Sequence, residues 1–124
     1  MQMKLEVVHV PVSDVDRAKA FYTEQIGFNA DHDHQVNDEL RFVQLTPPGS
    51  ACSIAIGTGL TQMRPGSIEG LMMVVADVQA VRDELMQRGT EFSIRLGTNE
   101  LMNSRLFDSE AQGSGYAFVE FWAK

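Results

Sequence analysis

The hydrophobic and polar positions of this chain fall into two similar strings. Lys4 to Val12 is rich in valine and predicts a strand. Ser13 and Asp14 then offer helix N-cap oxygens. Val15, Ala18, Tyr22 and Ile26 follow at i, i+3, i+7 and i+11, with Phe21 beside them, which makes one apolar helical stripe. Gly27 stands where a C-terminal cap is expected. The polar segment Phe28 to Glu39 predicts a strand leading into a turn, and Leu40 to Thr46 a second strand. Pro47-Pro48-Gly49-Ser50 reads as a turn, and Ala51 to Ile56 as a further short strand.

The stretch Gly57 to Ser67 holds three glycines and a proline and suggests a linker at about 59–68. The pattern then starts again. Leu71 to Val75 predicts a strand, and Asp77 an N-cap. Val78, Val81 and Leu85 form a helical stripe, Gly89 its cap, and Phe92 follows that glycine much as Phe28 follows Gly27. Asp14 and Asp77 are 63 positions apart and Gly27 and Gly89 are 62 apart, against a half-length of 62. The chain therefore reads as two copies of one strand–helix–strands unit, at about 1–58 and 69–124. Ser104 to Phe107 is a candidate strand, and Tyr116 to Trp122 a β-prone final one.

A length of 124 residues gives one domain by size, and 44% apolar with 22% charged residues excludes a disordered chain. The net charge of −7 argues against phosphate backbones and anionic membranes, and is compatible with a cationic ligand or with solubility alone. The single cysteine, Cys52, allows no internal disulfide and no cysteine-based zinc site, which fits a reducing compartment. The opening MQMKLEVVHV lacks a small-residue cleavage site, and no apolar run approaches the roughly 18 residues of a membrane span. A cytoplasmic protein is expected.

The stretch VPVSDVDRAKAFYTEQIGF resembles the opening of the vicinal oxygen chelate superfamily, which includes glyoxalase I, the bleomycin-resistance proteins and extradiol dioxygenases. LMMVVADVQAVRDELMQRGTEF is similar to the strand and helix of that family's second module. GSGYAFVEF falls where the family has a DPDGN-type turn and its last strand. The resemblance implies an α+β fold of two βαβββ modules. Together they would form an incomplete barrel with a shared cavity, commonly in a homodimer. It says little about function, because the fold hosts many chemistries.

The resemblance also implies four metal-ligand positions, one on the first and one on the last strand of each module, held by His, Glu or Gln in metal-dependent members. Carried over, they fall on Val7, Leu71, Ala117 and one residue within Ser53 to Ile56. Val, Leu and Ala cannot coordinate a metal, so no metal and no other cofactor is expected. The fallback is a rearranged site using His9 and Glu120, if the altered terminal turn DSEAQGSG shifts the last strand by one residue.

His9 lies two positions after Val7 and so shares its strand face. It is the candidate acid–base residue or hydrogen-bonding anchor, against a structural histidine. Met73 follows Leu71 in the same way, Phe42 and Gln44 share a face, and Trp122 is a candidate for the cavity mouth or a dimer contact. The candidate substrate-binding set is thus Val7, His9, Phe42, Gln44, Leu71, Met73, Ala117 and Trp122. His32 and His34 share a face and could hold a metal weakly with Asp31 or Asp33, against a solvated polar strand. No phosphate-binding loop or nucleophile elbow is present.

Three functions stay open. The first is a small-molecule-binding protein of the bleomycin-resistance kind, sequestering an apolar or cationic ligand. The second is a metal-independent isomerase, lyase or cyclase using His9. The third is a metal-dependent glyoxalase- or dioxygenase-like enzyme. The expected partners are a small-molecule ligand and a second copy of the chain, with no nucleic acid and no membrane.

Overall fold

Asp14 takes the extended backbone of an N-cap, and its carboxylate accepts the Arg17 amide at 3.1 Å, as the sequence predicts. Helix α1 (Val15–Ala20) starts there and continues directly into a π-helical turn, Phe21–Ile26. Gly27 closes the turn at φ 89°, a left-handed conformation suited to glycine. The widened turn was not predicted, because Ala18 and Tyr22 are buried on the same stripe whether the turn is α or π. The computed structural model describes residues 1–68, 71–88, 94–98 and 117–121. The chain divides into two compact units that part after Ile68.

The first unit runs β1 (Val7–His9), α1, β2 (Asn29–Asn37), β3 (Leu40–Thr46) and β4 (Ser53–Thr58), a βαβββ order. Its sheet has the strand order β1-β4-β3-β2, with β1 parallel to β4 and the other pairs antiparallel. Edges β1 and β2 do not meet, so the sheet is open.

Strand β1 is shorter than the predicted Lys4 to Val12. Its ladder to β4 runs from the Glu6 carbonyl, which accepts the Ser53 amide, to the Val10 amide, which donates to Ala55. Strand β4 begins two residues later than predicted. The Ser50 hydroxyl bonds both the amide and the carbonyl of Cys52 and keeps that residue out of the ladder. At its far end β4 takes in Gly57, which composition had placed in the linker. A Cβ there would lie 1.9 Å from the Arg41 carbonyl oxygen, so β3 and β4 approach only because this residue is glycine.

The core of this unit lies between α1 and one face of the sheet. Pairing puts Val8, Ile54, Leu45, Val43 and Ile56 on that face, and α1 packs on β4 there. Val43, Leu45, Ile54 and Ile56 are buried, as are Ala18, Tyr22 and Phe28. The Tyr22 ring packs edge-on to Phe21 at 4.9 Å between centroids and tilted on Phe28 at 5.4 Å. Around this core Arg41 of β3 makes two bonds to Asp33 of β2, at 3.0 and 2.9 Å, and one to Asp16 of α1 at 2.7 Å. Lys19 joins Asp33 at 2.8 Å. One guanidinium thus ties the helix to two strands.

The second unit holds β5 (Met72–Val75), α2 (Val78–Gln87), β6 (Ile94–Thr98) and β7 (Ala117–Phe121). Asp77 caps α2 by accepting the Ala80 amide at 3.0 Å, repeating the role of Asp14. Leu85 is buried. The strand order is β5-β7-β6, with β7 antiparallel to both neighbours. Strand, capped helix and strand repeat the first unit, but the described residues do not repeat its parallel edge. The expectations for Gly89, Phe92, the strand Ser104 to Phe107, the turn DSEAQGSG and Trp122 lie outside the described residues.

Candidate functional site

The sheet of the first unit has one face covered by α1 and one on which, among the described residues, no helix of this unit packs. On the helix-free face, pairing aligns His9 of β1, Ala55 of β4, Gln44 of β3 and His32 of β2 in a single row across all four strands. The row on one side holds Val7, Ser53, Thr46 and Asn29, and the row on the other holds Gly57, Phe42 and His34. Four residues singled out from the sequence, Val7, His9, Phe42 and Gln44, therefore share one surface. Ala55, with the smallest side chain of the central row, is 1% exposed.

A chain of hydrogen bonds runs through this face. The Gln44 side-chain amide reaches Ser53 Oγ at 3.1 Å, and Ser53 Oγ lies 2.6 Å from Thr46 Oγ1. The Thr46 hydroxyl donates to Asp31, whose other oxygen accepts the Asn29 amide at 2.6 Å. A break in the β2 register between Ala30 and His32 brings Asp31 to this side. The Thr46 hydroxyl, and then the Asn29 amide, hold the Asp31 carboxyl below the usual carboxylate range. Ser53 is only 4% exposed, so its hydroxyl depends on these partners.

Val7 lies directly opposite Ser53 across the β1–β4 pair. Val7 is the first-strand place where the resemblance implies a metal ligand, and Ser53 is one of the four residues, Ser53 to Ile56, among which the last-strand place falls. They do not fit one. Valine has no donor atom, and the serine hydroxyl is neutral and already joined to Gln44 and Thr46. His9 is exposed at the end of β1, and no hydrogen bond joins it to another described side chain. The rings of His32 and His34 stack at 6.1 Å between centroids. Asp33 between them is taken by Arg41 and Lys19 on the opposite face, and Asp31 by Thr46 and Asn29. Among the described residues no three His, Cys, Asp or Glu side chains converge as a metal site.

In the second unit Leu71 lies just before β5 and is half-buried, as is Met73 within it. Ala117 opens β7 opposite Val75, and Glu120 pairs with Met72 and Arg95. Sequence reasoning missed Thr46 and Asn29, weighed Asp31 only as a weak metal partner of His32 and His34, and passed over Ser53 for lack of a carboxylate, imidazole or amide. Alternation within Leu40 to Thr46 would have put Thr46 beside Gln44. The register break that brings in Asp31 has no signature in the sequence.

No helix among the described residues is long and apolar enough to cross a membrane. No curated protein gives a match. Solved structures do. TnmS3, an antibiotic binding protein from Streptomyces sp. CB03234, is 32% identical with a TM-score of 0.65, over 79% of this chain and 78% of the other. A glyoxalase/bleomycin resistance protein from the same organism is 33% identical with a TM-score of 0.62, over 77% and 81%. A member of the glyoxalase/bleomycin resistance protein/dioxygenase superfamily from Sphaerobacter thermophilus DSM 20745 is 26% identical with a TM-score of 0.66, over 79% and 81%. Residues 4–113 match the family as a whole. With its α+β fold and the βαβββ order of its first unit, the chain belongs to the Glyoxalase/Bleomycin resistance protein/Dioxygenase superfamily.

Proposed function

We propose that the protein binds and sequesters a small organic ligand on the helix-free face of its first sheet, without a metal and without converting it. The observation that carries this reading is Val7, an apolar side chain where metal-dependent relatives would hold a ligand, paired with Ser53, whose hydroxyl is already engaged. Phe42 adds an aromatic surface and Gln44 a polar anchor beside them. In the same reading Leu71, Met73, Ala117 and Trp122 are further candidates for ligand contact, and the protein is a cytoplasmic homodimer. The likeness to an antibiotic binding protein supports the ligand class. The net charge of −7 supports a cationic or apolar molecule over an anion.

His9 supports a binding role better than a catalytic one. A general base is normally oriented by a second group, and no described side chain bonds its imidazole. Titration calorimetry with metal-free bleomycin and with a set of polycyclic aromatic antibiotics tests the proposal. Saturable binding is expected, with the ligand recovered unchanged. Recovery of a chemically altered ligand, lost in His9→Ala, would contradict sequestration and give His9 the acid–base role.

A further inference from the structure

We infer that the binding face presents a fixed hydrogen-bond acceptor, Gln44 Oε1, and so selects ligands that donate an O–H or N–H, such as phenols and amides. The inference rests on the proposed binding role and adds the ligand's chemistry.

The direction of the hydrogen-bond chain follows from counting protons. Ionised Asp31 can only accept, so Thr46 spends its one hydroxyl proton on it. Thr46 Oγ1 must then accept from Ser53, which uses the single Ser53 proton. Ser53 Oγ is left as an acceptor, and only the NH₂ end of the Gln44 amide can fill it. The amide is thereby locked with Nε2 toward Ser53 and Oε1 turned away. Among the described residues no donor meets Oε1. Gln44 stands in the middle of the row between His9 and His32, on the face without a helix. A ligand on that face meets a carbonyl oxygen whose orientation is set before binding. Thr46 acts as a positioning residue through Ser53.

The experiment uses ¹⁵N-labelled protein and two probes, 2-naphthol and 2-methoxynaphthalene, in which a methyl group replaces the hydroxyl proton. Before any probe is added, one Gln44 Nε2 proton is expected to exchange slowly with solvent, and Thr46→Val to abolish that protection. Exchange as fast as that of an exposed glutamine would overturn the inference whatever the protein binds. On titration, 2-naphthol is expected to bind about 3- to 10-fold more tightly than its ether, the size of one net hydrogen bond. Gln44→Met and Thr46→Val should bring that ratio to about 1, while Thr46→Ser, which keeps the hydroxyl, retains it. Backbone spectra show whether each variant is folded. Equal binding of both probes to the wild type would overturn the acceptor and leave the binding role standing. No perturbation of β1, β3 or β4 amides by either probe would overturn the binding face, and the inference with it.

Discussion

Val7 and Ser53 sit directly opposite each other where β1 runs parallel to β4; the valine side chain has no donor atom, and the serine hydroxyl is taken by Gln44 and Thr46. Ser53 thus joins Gln44 to Thr46 beneath the helix-free face. Ser53→Ala takes their shared partner from the half-buried Gln44 amide and Thr46 hydroxyl. A loss of about 1–2 kcal/mol in stability is expected, read from the urea midpoint. An unchanged midpoint would show that solvent replaces the serine hydroxyl.

Arg41 links β3 to β2 and α1 through Asp33 and Asp16. Its side chain is 16% exposed and that of Asp33 27%, so solvent weakens the pair less than at an open surface. Arg41→Met keeps the stem and removes the fork. It is expected to destabilise by about 1–2 kcal/mol, less in high salt than in low. The salt dependence separates this effect from lost packing.

Hydrogen bonds from Arg41, and then Lys19, hold the Asp33 carboxyl well below the usual carboxylate range. A carboxyl whose pKa falls on folding adds stability above its unfolded value, about 3.9, and loses it as pH drops through the folded value. Wild-type stability is expected to fall as the pH goes from about 5 to about 2. Asp33→Asn should be less stable at neutral pH and show a shallower slope across that window. Parallel curves for the two proteins would place the acid sensitivity elsewhere.

Tyr22 is 1% exposed between Phe21 and Phe28, and burial pushes its hydroxyl well above the usual tyrosine range. Tyr22→Ala opens a cavity between the π-helical turn and Phe28 and is expected to destabilise by about 3–5 kcal/mol, measured by thermal or urea unfolding. A change under about 1 kcal/mol, the size of a conservative core swap, would mean that the helix repacks.

Gly57→Ala should be among the most damaging single-methyl additions, because the new carbon would meet the Arg41 carbonyl oxygen at 1.9 Å. The β3–β4 pair must part or shift register. The amide spectrum of β3 and β4 is expected to change throughout, and a local change confined to residues beside Gly57 would contradict the close approach.

Elements carried by local chemistry were legible in the sequence. The caps at Asp14 and Asp77, the left-handed Gly27 and the bounds of β3 follow from side-chain oxygens, glycine and alternation. The family resemblance was equally visible, in the strand–helix motif and its repeat. What escaped depends on particular contacts, one local and the others between distant residues. Ser50 delays β4, Arg41 requires a glycine at 57, and a register break on β2 turns Asp31 toward Thr46. Period alone puts Phe42 and Gln44 on one face, and only the position of α1 tells which face that is.

Native mass spectrometry of the purified protein tests the central claim most directly, recorded alone, with added nickel, zinc, manganese and iron(II), and with metal-free bleomycin. The account predicts no stoichiometric metal in any spectrum, and an organic adduct, either co-purified or formed with bleomycin, that dissociates at its original mass. A tightly held metal ion, one per chain and lost in His9→Ala or Glu120→Gln, would contradict it and restore a metal-dependent site built on those two residues.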